Sequence, residues 1–579
     1  MSPFMLSVLI VLLLAPAADA QSFSQARIGQ NTPLARGSNR LTVTLVTDTS
    51  LTASSAITLS GLGTASSPSG ATVNLLASVG GNGAEQLFNS QAAWNSAGSL
   101  TCTVGAGKTM SAGTNYRFAF VLLNPPTSQQ AQQVTVEASG SATIPQQVMS
   151  SDNGDVEGVS GGRAPLLTVV PAFRTAFITQ TTPLVEVYNY IIIFLQANAN
   201  IARGSRIYIA GLNATNSTEE ETPEGCSAPA NFKMELFPHG QLFGPDGCIR
   251  WTQSSGLMEW TVQTDLRGSD TYQIVFALLN PPEEQPSPHV RIWGEIENIL
   301  GEVRQASGYR AASLPPQDFY KDDTTTFGVL KGANVLYIVQ NYMMKQTIEQ
   351  DSSLAEGDNT ITITLTSFTN MPRGSRITIS GLGGSSTSST ASLPLSVSNS
   401  FVRSTAVWDQ QLGQLEMETI GPVVGTGLPA WLATVVTFTL RNDEGSNRGG
   451  VLLLDGFVET SSGDTFNPLS QSPMVPRAMV TPNAPILGIP NGTNPLTYLP
   501  WYACPPRPAP MSCVLGFTFD AALDGAPTLL TYIPPPCVPA GGSSRISRSG
   551  LPSSTAPTPS LSHSPSTLRS KAPPPPSSR

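Results

Sequence analysis

Charge is what this chain has least of. Only 12% of its 579 residues are Asp, Glu, Lys or Arg, about half of the ~25% usual in soluble domains. That argues against long exposed helices and coiled coils, which need a Glu/Lys/Arg-rich solvent face. The 30 Lys and Arg stand against 39 Asp and Glu, a formal charge of -9. No basic footprint for phosphates exists, and nucleic acid is not an expected partner. The three histidines, His239, His289 and His563, are too scattered for a zinc constellation. After Ala15 no run approaches the ~18 apolar residues of a membrane-crossing helix, so no transmembrane segment is expected. Glycine (51) and proline (49) are plentiful, and with Ser, Thr, Asn and Gln they suit strands and turns.

Phe4 to Ala15 is one short apolar run followed by Pro16 and the small-residue site Ala18-Asp19-Ala20. The run is too short to span a bilayer and reads as a cleaved signal over residues 1–20, placing the mature protein outside the cell or at a cell wall. Sequons at Asn213, Asn216 and Asn491 fit surface glycosylation there.

Three blocks align without a gap: Ile28 to Leu62, Ile178 to Leu212 and Ile348 to Leu382. Each begins Ile-x-Gln (Gln30, Gln180, Gln350), carries Leu at the same step (Leu34, Leu184, Leu354), then Asn (Asn39, Asn189, Asn359), and ends Gly-Leu. Apolar residues alternate between, as in Leu41/Val43/Leu45, Ile191/Ile193/Leu195 and Ile361/Ile363/Leu365, the period of a strand with one wet face. In the second copy, Tyr190 to Leu195 is apolar on both faces, as if a neighbouring unit or linker covered the outer one. Each copy then has a Trp (Trp94, Trp251, Trp408) and a strand whose inward residues correspond as Cys102, Trp260 and Met417. Type varies while apolar size largely persists, as at core positions. A further strand stops at Asn-Pro-Pro from Asn124 and Asn280, and the last strand is expected to end in Gly140, Gly294 and Gly456.

Units this long are self-sufficient domains rather than solenoid repeats. The expected fold is all-β: three tandem antiparallel β-sandwiches at 21–150, 178–306 and 348–475, joined by linkers at 151–177 and 307–347. A Pro/Cys-rich extension (476–540) and a disordered Ser/Pro-rich tail (541–579) follow. In strand pattern the repeat resembles immunoglobulin-like modules of secreted surface proteins. The tail resembles the hydroxyproline-rich, O-glycosylated tails of plant and algal wall glycoproteins.

Cys102, in an inward slot, is expected to be a buried free thiol. Cys226 and Cys248 both fall in the connection between Leu212 and Trp251, which is longer in the second copy than in the other two, and are expected to form a disulfide that closes it. Cys504, Cys513 and Cys537 are disulfide candidates of the extension, with one left over. Trp94, Trp251 and Trp408 are read as core rather than as sugar-stacking platforms, with Phe237 and Phe243 weaker candidates for such contacts. The only Gly-x-Ser-x-Gly, Gly158 to Gly162, lies in a polar linker without the strand-to-helix context of a nucleophile elbow. Acidic clusters at Asp152/Asp155/Glu157, Glu219/Glu220/Glu221/Glu224 and Asp351/Glu356/Asp358 have no complete loop signature and are read as solvated charge, with calcium bound at the module junctions as the alternative. No cofactor and no catalytic residue is assigned. The expected function is a secreted, non-enzymatic structural or adhesive protein whose partners are wall or matrix glycans or proteins. A carbohydrate-binding protein using sandwich loops is the alternative, and an unrecognised secreted enzyme the third reading.

Overall fold

The computed structural model describes residues 21–500 apart from 68–69, 214, 222–226, 230–234, 238–248, 299–307, 422–426 and 461–470. The described chain is almost wholly β, with a single helical turn, Ala84–Leu87. Three sandwiches follow one another, each with its own buried apolar cluster.

The alternating stretches form the expected strands. Ser38–Thr47, Tyr188–Ala197 and Asp358–Ser367 are the central strands of three antiparallel sheets, flanked by Phe23–Gln30, Phe173–Gln180 and Met343–Gln350 on one side. On the other side lie Tyr116–Leu123, Tyr272–Leu279 and Thr434–Arg441. Register is the same in all three: Leu41 faces Phe120, Ile191 faces Phe276 and Ile361 faces Phe438. A second sheet centres on Arg206–Ala210 in the second copy and Arg376–Ser380 in the third; in the first, the corresponding Ala56–Ser60 belongs to one ten-stranded sheet with Ser38–Thr47, because Thr72–Ala77 pairs with both Gln91–Asn95 and Tyr116–Leu123. The hydroxyls of Tyr116 and Tyr272 accept the N–H five residues earlier, at 3.0 and 2.8 Å, a corner familiar from immunoglobulin-type sandwiches.

The closing Gly-Leu of each block has a steric cause. Gly61, Gly211 and Gly381 sit at φ 97°, 96° and 96°, and a Cβ there would lie 2.3, 2.0 and 2.4 Å from a facing carbonyl oxygen. The glycine expected to end the last strand behaves differently. Thr135–Ser139 does stop before Gly140, but Arg291–Ile296 and Leu453–Glu459 run through Gly294 and Gly456, which pair with Ile207 and Ile377 inside the sheet. On the outer face of the second copy it is the linker, one of the two expected covers, that makes contact: Tyr320–Lys321, from the 307–347 stretch, pairs with Phe173–Gln180. Phe194 packs beside Phe177, which in turn stacks on the exposed Tyr320, each pair 5.9 Å apart.

The Gln and Asn steps of the repeat build one buried network three times. Asn39 Nδ2 donates to Gln30 Oε1 (2.7 Å) and Asn124 Oδ1 (2.8 Å). Asn189 does so to Gln180 and Asn280 (2.8 and 3.0 Å), and Asn359 to Gln350 and Asn442 (2.7 and 2.9 Å). The glutamines also hold a returning strap. Gln180 Oε1 accepts Leu336 N–H (2.6 Å), and its Nε2 donates to the carbonyls of Gly332 (2.8 Å) and Tyr337 (3.0 Å). Gln30 makes the same bonds to Leu166, Gly162 and Leu167, and Gln350 to Leu496, Gly492 and Thr497. Leu166, Leu336 and Leu496 adopt left-handed φ of 57°, 52° and 55°. That strain is offset by full burial in the first, second and third cores respectively. The stretches read as linkers thus fold back onto the sandwich they leave, and residues 480–499 make the corresponding contacts of the third.

Successive sandwiches interlock. Leu34 and Val159 belong to the second core, and Leu184, Val187, Val329 and Val339 to the third. Polar groups at the first junction are paired: Asn31 Nδ2 donates to Asn298 Oδ1 (2.8 Å), and Ser38 exchanges bonds with the Arg310 backbone.

Candidate functional site

The residues expected to carry chemistry do not converge. Cys226, Cys248, Cys504, Cys513, Cys537, His239, Phe243 and His563 lie outside the described residues, as does the tail, and the side chain of Phe237 is not described. Cys102 is free and wholly buried, and desolvation pushes its thiol up to about 12. Asn213, Asn216 and Asn491 are exposed. Trp251 and Trp408 are each 1% exposed, with Trp408 Nε1 donating to Thr387 O, whereas Trp94 is half-buried against the first core. Gly158 to Gly162 forms a turn and no helix. The acids near it are engaged locally: Asp152 pairs with Arg27 (3.5 Å), Asp155 accepts Gly161 N–H (2.9 Å) and buried Glu157 accepts Thr32 Oγ1–H (2.5 Å). Among the described residues no three His, Cys, Asp or Glu side chains group as metal ligands. A void of about 20 Å3 in the second core, lined by Phe173, Leu195, Ile207, Trp260 and Tyr272 among others, is apolar.

The surface with the most unusual construction is an aromatic ladder on the third sandwich. The rings of Tyr342 and Phe368 stack 4.8 Å apart at 7°, Phe368 meets Trp431 edge-on at 5.9 Å, and the Arg477 guanidinium lies 4.2 Å above Tyr342. Cation and π-face are mutually favourable, by about 0.5–2 kcal/mol depending on exposure. Trp431 is 59% exposed and held at φ 67°, a costly backbone for a bulky residue and one that persists only where neighbours impose it. Here they do: Trp431 N–H donates to Ser367 O (2.9 Å) and Ala430 N–H to Asn370 Oδ1 (2.7 Å).

In the other copies the same steps are polar caps. Ser22 N–H donates to Asp48 and Phe23 N–H to Gln147; Ala172 N–H donates to Asn198 and Phe173 N–H to Gln317. Tyr342, Phe368 and Arg477 replace Ser22/Ala172, Asp48/Asn198 and Gln147/Gln317, while Trp431 replaces Gly113 or Ser269. Sequence reasoning missed this site. Its signal was available as four steps of the repeat that change together in one copy, but the steps lie up to 135 residues apart, between Tyr342 and Arg477. Chemically, the ladder offers an exposed indole at one end and a cation stacked on a ring at the other, and the indole is a surface for a sugar ring or another flat ligand.

No protein-family model matches the chain and no curated protein matches it. Among solved structures, the C-terminal domain of the Streptococcus pyogenes antigen I/II-family protein AspA is similar at TM-score 0.26 and 5% identity, over 53% of this chain and 98% of that one. The C-terminal domain of Streptococcus agalactiae BspA gives 0.25 and 6%, over 53% and 99%. A putative membrane anchored protein from Corynebacterium diphtheriae gives 0.16 and 9%, over 81% and 92%. Likeness at this level carries no argument about function.

Proposed function

We propose that this chain is a secreted, non-enzymatic protein of the cell surface, matrix or wall, in which three interlocked sandwiches form a stiff tandem that presents a ligand-contacting surface. The observation that carries the reading is the burial of Leu34 in the second core and of Leu184 in the third. Hinged beads would leave these leucines, which lie between the first two strands of their own sandwiches, open to solvent; the tandem resists bending because separating two sandwiches exposes core. Immunolocalisation together with pull-down on isolated wall or matrix tests it. Extracellular protein retained by that material is the expected result, and a purely cytosolic location refutes it.

A second reading, carbohydrate binding, is favoured by the ladder at Trp431. A glycan array with the full chain and with Trp431→Ala is expected to show binding that the substitution abolishes. Absence of binding by the unmodified chain removes this reading and leaves the first standing.

A further inference from the structure

Far ends of the described tandem carry the two halves of a contact made twice inside it. At the first junction the turn Val156 to Val159, closed by Val159 N–H to Val156 O (2.9 Å), places its Glu157 carbonyl on Asn200 N–H (2.8 Å). At the second, the turn Thr326 to Val329, closed at the same 2.9 Å, places Phe327 O on Asn370 N–H (2.7 Å). Gly158 and Gly328 press so close that a Cβ would lie 2.5 and 2.8 Å from the Oδ1 of those asparagines.

The third sandwich builds this turn again. Ile489 N–H meets Ile486 O at 2.9 Å, and Leu487 and Gly488 take φ 50° and 79°, against 51° and 73° for Glu157 and Gly158. Here, among the described residues, nothing lies within 4 Å of a Cβ placed on Gly488. Leu487 is 67% exposed, and Leu499 is 44% exposed where its counterpart Val339 is 6%. Leucine at left-handed φ is strained, and here burial does not offset the strain, whereas the equivalent Glu157 is 6% exposed.

The receiving half stands at the front of the first sandwich. Asn200 Oδ1 accepts Gly268 N–H (2.9 Å) and Asn370 Oδ1 accepts Ala430 N–H (2.7 Å), ties that hold the two receiving loops together. Ser50 occupies the same step, its Oγ accepts the corresponding Ala112 N–H (3.1 Å), and it is exposed.

We propose that the Leu487-Gly488 turn docks on the Ser50 face of a second copy, so that chains join head to tail through the contact already used twice within each. Such a contact is heterologous, and copies add in series unless a ring closes. It is independent of the functional reading above.

Sedimentation velocity of the full chain at rising concentration tests it, with two variants. Leu487→Asn removes the apolar tip while keeping a residue that tolerates left-handed φ, and Ser50→Arg blocks the receiving loops. The unmodified chain is expected to grow into species larger than a dimer. Each variant alone stays monomeric, and an equimolar mixture, holding one working turn and one working face per pair, stops at dimers. An unmodified chain that remains monomeric throughout, whether its turn is bare or covered by some other protein, overturns the proposal. So does Leu487→Asn associating like the unmodified chain, or a mixture of variants that forms no dimer.

Discussion

Replacing Gln180 by Met keeps the length of the side chain and removes all its hydrogen bonding. In the second sandwich Gln180 is 4% exposed and makes four bonds: from Asn189 Nδ2 and Leu336 N–H, and to the carbonyls of Gly332 and Tyr337. A buried polar group left without a partner costs about 1–3 kcal/mol. Asn189 Nδ2 keeps its bond to Asn280 Oδ1, which leaves three strap groups stranded, a cost of ~3–9 kcal/mol at the strap, the lower end if water reaches it. The loss is local, because the central strand Tyr188–Ala197 keeps its ladder to Tyr272–Leu279. Hydrogen exchange of the full chain should therefore show strap amides near Leu336 and Val339 losing protection by about a hundredfold or more, at 1.4 kcal/mol per tenfold, while the central strand changes little. Val339 belongs to the third core, so the second junction should loosen with the strap. Strap protection within a few-fold of the unmodified chain would refute the idea that glutamine holds it.

Gly328→Ala and Gly488→Ala form a matched pair with nearly equal φ, 74° and 79°. Both bear the left-handed cost of about 1–2 kcal/mol. Only the first drives a Cβ to 2.5 Å from that of Ala430, so limited proteolysis between the second and third sandwiches should accelerate for Gly328→Ala alone. Cys102 should resist alkylation in the native chain at pH 8 and react on unfolding, as followed by mass spectrometry. Because burial raises its thiol from 9.0 to about 12, its contribution to stability is full below pH 9 and is lost as pH rises toward about 12, where the unfolded chain has already released the proton. Denaturant midpoints across that range check the sign. Arg477→Ala removes the cation above Tyr342 and is expected to weaken any ligand of the ladder while leaving the unfolding transition within ~1 kcal/mol.

Much of the fold was legible because alternation is a local signal. A strand with one wet face writes its period into adjacent residues, and the copies Leu41/Val43/Leu45 and Ile361/Ile363/Leu365 repeat it at matched register. The cost of replacing core apolar groups by polar ones likewise made Cys102 readable by comparison with Trp260 and Met417, all three wholly or almost wholly buried. Partnership was not legible. Gln30 and Asn39 stood out as fixed steps, but their function depends on Asn124 and on strap carbonyls more than 80 residues away. Gly294 and Gly456 lie in mid-strand while Gly140 follows a strand end, because a glycine is compatible with both and only the opposing backbone decides.

Read alone, the amino-acid order determined an all-β chain, three copies of one unit, and which side of each strand turns inward, since these follow from short-range periodicity and composition. Tertiary structure alone decided that the supposed linkers bind back onto their own sandwiches, that Leu34 and Leu184 enter the next core, and that Tyr342, Phe368, Trp431 and Arg477 meet on one surface. The physical reason is range: hydrophobic period acts between neighbours in the chain, whereas burial of a polar network or the meeting of four distant side chains exists only once the sheets have closed.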